Sequence, residues 1–210
     1  MPSPKTYRIN PGNPDPDIIQ KAAAIIRKGG VVAFPTRCLY GLGADAFNPD
    51  AVARLFKIKQ RPAENPILIL IDSVDRLDGL VERISESAQA IMAKFWPGRV
   101  TLVFKASDKV PDYLTAGTGN IGIRLAGHPA AAALAAAVRG PITGTSANLS
   151  GQPGCHRIED LPPAVAAELD LILDAGPLRG GRGSTVVDVS GERPIVLREG
   201  VISKKDIFSI

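Results

Sequence analysis

Cysteine, histidine and aromatic side chains are scarce in this chain, and each shortage closes off a class of function. Cys38 and Cys155 are the two cysteines in 210 residues. Thiols so few and so far apart cannot build a disulfide framework, and they fit a reducing compartment such as the cytoplasm. His128 and His156 are the two histidines, so a histidine-rich metal site is impossible. Cys155 and His156 are adjacent, a spacing that rarely chelates one ion, and a second ligand pair is missing. Three Tyr, six Phe and one Trp argue against recognition of single strands by base stacking. Long apolar runs are lacking as well. Ile67–Ile71, the longest compact one, is strand-sized, whereas a bilayer span needs about 20 residues. The opening Met1-Pro2-Ser3-Pro4-Lys5 is polar and proline-rich, unlike a signal peptide. A soluble protein without membrane contact is expected.

Familiar catalytic motifs are also missing. The chain has no G-x-x-x-x-G-K-[ST] phosphate loop, no G-x-G-x-x-G after a strand, and no G-x-S-x-G elbow to support a Ser-His-Asp triad. Net charge is +4, from 25 basic and 21 acidic residues. That excess permits nucleotide or RNA partners without establishing them.

What is present reads as alternating apolar segments. Tyr7–Ile9 opens with a short strand. A helix capped by Asp17 carries Ile18, Ala22, Ile25 and Ile26 on one face and ends at Gly29-Gly30. Strands are predicted at 31–34, 67–71, 100–104, 121–124, 171–173, 185–189 and 195–197. Further helices are predicted from Pro49 to Lys59 or Gln60, over 74–81 and 85–95, from Pro129 to Gly140, and near 162–169. No repeat or linker divides the chain, so 1–210 reads as a single domain. Irregular alternation of strands and helices after residue 98 predicts an α/β fold with a twisted mixed sheet flanked by helices.

Three polar segments could carry chemistry. Lys57, Lys59 and Arg61 either complement a helix C-terminus and stay solvated, or clamp a polyphosphate with point charges and a planar fork. Gly144–Gly151 is either a polar turn or a ligand loop; in extended chain Ser146 and Asn148 would face the same side. Gly176–Thr185 is a mobile glycine-rich loop, or one whose amides and two arginines approach an anion. Arg124 and Arg198, at strand ends, could equally be rim salt-bridge partners.

Taken together, these segments resemble the YrdC-like domain of threonylcarbamoyl-adenylate synthases over roughly residues 15–200. The pieces run in matching order: Gly29–Thr36 with Leu39–Gly43; Phe56–Pro66 with its K-x-R; Phe95-Trp96-Pro97-Gly98 with Val100–Val103; Ile121–Arg124 with His128-Pro129; Ser146-Ala147-Asn148; Ser184–Asp188; and Leu197–Gly200. The resemblance implies a large, basic, concave cavity. It also implies formation of threonylcarbamoyl-AMP and pyrophosphate from L-threonine, bicarbonate and ATP. A separate transferase complex would then use the product to make N6-threonylcarbamoyladenosine at tRNA position 37. It further implies Lys59, Arg61, Ser146 and Asn148 as a catalytic tetrad around the nucleotide, with Asn120 and Arg198 as further ATP contacts. Thr36, Arg124 and Ser184 would frame threonine, and Mg²⁺ would be held mainly by the ATP phosphates. The alternatives are a non-catalytic paralogue that contacts tRNA or other structured RNA, and a carbamoyl-adenylating enzyme with another substrate. This chain departs from the family pattern at Arg37 and Cys38, where an acidic residue and Thr or Ala are usual, and at Leu70, where many relatives have His. Arg37 adds charge beside the threonine amine unless it points outward.

Overall fold

Asx-Pro and His-Pro pairs set the starts of three helices. In the computed structural model, which describes residues 4–209, α1 spans Pro16–Arg27, α2 Pro49–Lys59 and α5 Pro129–Val138. Each begins with proline, whose fixed φ suits the first turn and whose missing N–H is no loss there. The side chains of Asp15, Asn48 and His128 accept the free amides that follow. The cap of α1 is therefore Asp15 and not the expected Asp17, because Asp17 already lies inside the first turn. Helix α3 covers Glu86–Phe95, capped by Ser85. Three single-turn helices, α4 (Asp112–Thr115), α6 (Pro163–Ala166) and α7 (Lys204–Ile207), complete the set. The helix expected over 74–81 is a 3₁₀ turn at Val74–Leu77.

Eleven strands form two mixed sheets, where one was expected. The first runs β1 (Lys5–Arg8), β9 (Leu171–Asp174), β2 (Val32–Pro35), β3 (Tyr40–Gly43) and β8 (Thr145–Ser146). The second runs β11 (Ile195–Arg198), β10 (Thr185–Asp188), β5 (Val100–Lys105), β6 (Asn120–Leu125), β4 (Ile69–Ile71) and β7 (Ile142–Thr143). Parallel and antiparallel pairs occur in both. The chain crosses from one sheet to the other at Gly144, between β7 and β8. A Cβ there would stand 2.5 Å from Leu68 Cδ1 and 2.7 Å from Leu70 Cγ, so only glycine lets the backbone through. Thr143 fastens the crossing: its hydroxyl donates to the Leu42 carbonyl and accepts from the Ala44 amide.

On one side, Ile19, Ala22, Ala23 and Ile26 of α1 meet Ala130, Ala131, Leu134 and Ala135 of α5, all at most 3% exposed. The small alanines allow the two helices to lie close. The larger core lies among α2, α3 and the strands, around Tyr40, Leu55, Ile69, Leu102, Phe104 and Ile123. Burial of each such side chain contributes about 1.5–3 kcal/mol before chain entropy is subtracted. No described helix is long and apolar enough to cross a membrane.

Candidate functional site

A cavity of about 640 Å³ opens where the two sheets meet, within the roughly 300–1,000 Å³ range of small-molecule sites. One face of the second sheet forms its floor. Directly paired residues of neighbouring strands point to the same side. Arg198 is paired with Val186, and Val186 with Thr101. Arg124, one position beyond the Leu102–Ile123 pair, is matched with Leu70. A second row holds Asp188, Val103 and Gly122. All of these line the cavity. The walls come from the β2–β3 turn, the Gly144–Ser146 crossing, and the Gly183–Ser184 and Leu197–Val201 stretches.

Of the expected site residues, Thr36, Arg61, Asn120, Arg124, Ser146, Ser184 and Arg198 share this one lining. Ser184, 5% exposed, is the meeting point. Its hydroxyl accepts from Arg124 Nη1 at 2.8 Å and lies 2.9 Å from Thr101 Oγ1, and its carbonyl accepts from Arg198 Nη2 at 3.0 Å. Arg198 is brought there by a tight return of the chain. Buried Thr185 Oγ1 accepts from the amides of Gly200 and Ile202, and a Cβ on Gly200 would stand 2.3 Å from the Gly183 carbonyl oxygen. Burial, and secondarily the Arg198 guanidinium, pull the Arg124 pKa down to about 10. Arg124 therefore remains cationic at neutral pH.

Lys59 and Asn148 are placed differently from expectation: they stand behind the lining and not in it. The left-handed Gln60 (φ 48°) closes α2, with the Gln60 and Arg61 amides bonded to the Lys57 and Phe56 carbonyls. That turn leaves Lys59 inside, 2% exposed. Its ammonium donates to the carbonyls of Ser146 and Asn148, at 2.5 and 2.7 Å, and to Asn148 Oδ1 at 3.1 Å. Ser146 Oγ donates to the same Oδ1, so the two side chains do meet, although the backbone bends after Ser146. Burial, and secondarily Arg61, lower the Lys59 pKa to about 8. Arg61 faces the cavity, its guanidinium donating to the Asn65 and Pro66 carbonyls.

The glycine-rich loop contributes less than its sequence suggests. Gly183 and Ser184 reach the lining, whereas Arg179 does not and Arg182 pairs with Glu199 at 3.5 Å. Several lining residues were not assigned roles from the sequence, Arg37, Thr101 and Asp188 among them. Arg37 is part of the lining, Thr101 backs Ser184, and Asp188 is the single lining carboxylate among the described residues. Thr101 and Asp188 lie in the Val100–Val103 and Ser184–Asp188 pieces of the sequence resemblance, which were the available signals for these two. Among the described residues the lining thus holds four arginines and one carboxylate.

A family model for Sua5, YciO and YrdC proteins, described as "Telomere recombination", matches residues 24–200. The chain is 39% identical over 192 residues to a threonylcarbamoyl-AMP synthase of Pyrococcus abyssi, an alignment covering 91% of this chain and 56% of that protein. The crystal structure of P. abyssi Sua5 with L-threonine superposes with a TM-score of 0.92 at 36% identity, covering 97% of this chain and 60% of that one. Escherichia coli YciO gives a TM-score of 0.88 at 30% identity, covering 97% and 99%. The chain thus spans a little over half the length of the P. abyssi relative.

Proposed function

Because this chain belongs to the Sua5/YciO/YrdC family, we propose that its cavity forms threonylcarbamoyl-AMP and pyrophosphate from L-threonine, bicarbonate and ATP. The observation that carries this reading is the convergence of Thr36, Arg61, Asn120, Arg124, Ser146, Ser184 and Arg198, drawn from six separate chain segments, on one lining. The relatives' name supports the product, and the threonine-bound relative supports threonine as one substrate.

In this reading Arg124, with Ser184 and Thr36, takes the threonine carboxylate, since a charged fork next to hydroxyls suits that group. Arg61, Asn120, Ser146 and Arg198 take the nucleotide. Lys59 and Asn148 act from behind by fixing Ser146. The carbamate, formed when the threonine amine bonds to the bicarbonate carbon and a C–O bond breaks with loss of water, is short-lived in water and gains from enclosure. Its oxygen attacks the α-phosphorus; the bond to pyrophosphate breaks, and pyrophosphate leaves with its electron pair. Positioning and arginine charge lower the barrier, and no covalent protein nucleophile takes part. No group of three or more His, Cys, Asp or Glu suited to a metal occurs among the described residues, and Asp188 is the lone lining carboxylate. The described lining offers no protein cage for Mg²⁺; in this reading the ion would be held mainly by the ATP phosphates and would offset their charge. The product would pass to a separate transferase complex acting on tRNA, in the cytoplasm.

The test is pyrophosphate release from ATP, with the adenylate identified by mass spectrometry. Release is expected only when threonine and bicarbonate are both present. Release independent of either one, or none from folded protein with Mg²⁺, would overturn the reading.

A further inference from the structure

Arg37 differs from the other arginines of the cavity. Arg61 donates to two carbonyls, Arg124 to Ser184 Oγ, and Arg198 to the Ser184 carbonyl. Arg37 lines the same space and is half-buried, yet no described residue accepts a hydrogen bond from its guanidinium or pairs with its charge. Asp188 forms no ion pair with it, and its Oδ1 accepts from the Ser190 amide and hydroxyl at 2.9 and 2.6 Å. The backbone that carries Arg37 is held on both sides. Thr36 N and Oγ1 both donate to the Leu39 carbonyl, at 3.1 and 2.6 Å, and the Gly180 amide donates to the Cys38 carbonyl at 2.9 Å. The guanidinium is thus carried by a fixed turn on the lining, with its five N–H donors unused by any described residue.

We propose that Arg37 is an oxyanion contact of this cavity, a fourth cationic fork that grips a phosphate or carboxylate oxygen of the bound ligand. The inference takes from the proposed function only that the ligands carry oxyanions. A guanidinium suits both sources, a terminal phosphate of the nucleotide or the carboxylate of the amino acid.

Calorimetric titration of inorganic pyrophosphate, ATP and L-threonine into wild type, Arg37→Gln and Arg37→Lys distinguishes the two sources. Arg83→Gln, an exposed change away from the cavity, controls for net charge. Arg37→Gln is expected to weaken one class by about 10-fold or more, the size of a charged hydrogen bond, and the other by less than about 2-fold. Arg37→Lys is expected to recover part of the loss. Weaker pyrophosphate and ATP binding assigns the contact to phosphate; weaker threonine binding assigns it to carboxylate. Unchanged affinities overturn the proposal. So does a loss equal to that of Arg83→Gln, a uniform loss accompanied by a lower thermal midpoint, or a wild type that binds none of the three. A wild type that binds pyrophosphate through Arg37 yet makes no adenylate upholds this inference and removes the synthase reading. A productive wild type with unaltered Arg37→Gln binding does the reverse.

Discussion

Lys59 gives its ammonium protons to three buried acceptors, whereas Arg61, two residues on, presents its guanidinium to the cavity. Substitution separates their tasks. Lys59→Met leaves the Asn148 carbonyl without a donor and takes one of two donors each from the Ser146 carbonyl and Asn148 Oδ1, at a cost of about 2–3 kcal/mol. For a chain of this size that lowers the thermal midpoint by roughly 5–10 °C. Arg61→Ala is expected to change the midpoint less, while pyrophosphate release falls by about 100-fold or more. Melting curves beside initial rates read both effects, and near-normal release by Arg61→Ala would exclude it from the mechanism. The K-x-R spacing was legible in sequence, but the separation of its two cations was not. That separation depends on Gln60 adopting a left-handed conformation, which neither composition nor periodicity encodes.

At the scale of elements, the ends of α2 and α5 carry the testable features. Gln60 is exposed and holds φ 48°, a region that costs a side-chain-bearing residue about 1 kcal/mol and glycine little. Gln60→Gly is expected to raise the thermal midpoint by about 2 °C with Arg61 left in place. At the start of α5, His128 Nδ1 accepts from the Ala130 amide at 3.2 Å, which requires a neutral ring. Burial lowers the His128 pKa below its ordinary value. On acidification the unfolded chain therefore takes up the proton first. The stability that this cap contributes is complete above the ordinary histidine range and is lost as pH falls through it toward the folded value. His128→Asn keeps an acceptor that does not titrate, so its melting temperature is expected to gain on wild type as pH goes from 7 to 5. His128→Ala costs about 1 kcal/mol at pH 7. Most longer elements were readable because proline, capping side chains and apolar periodicity agree there. The two-residue strands β7 and β8 were not, because long-range pairing with β4 and β3 creates them.

For the whole molecule, the division into two sheets joined at Gly144 decides where a ligand can sit. Sequence reasoning yields a mixed α/β fold and a set of residues that belong together. It does not yield the seam, because Leu68 and Leu70 crowd Gly144 only once β4, β6 and β7 are assembled. An occupant touching both sheets stabilises the folded state by mass action. With ligand at about 100 times its dissociation constant, the gain is about 2.7 kcal/mol. That corresponds to a rise in melting temperature of roughly 5–10 °C, measurable by dye-based melting with ATP or with threonine. No rise with either ligand at saturating concentration would show that the seam is not where they bind.

Arg124 and Arg198 both lean on Ser184, one through its hydroxyl and the other through its carbonyl. A ligand that drew Arg124 off the Ser184 hydroxyl would disturb the residue whose carbonyl holds Arg198, and occupancy at one end of the hollow would then be felt at the other. Thermodynamic linkage would make such cross-talk mutual: if threonine and ATP occupy the two ends as proposed, each changes the other's affinity by the same factor. Removing the Ser184 hydroxyl should uncouple the pair and let each partner dock as though it were alone.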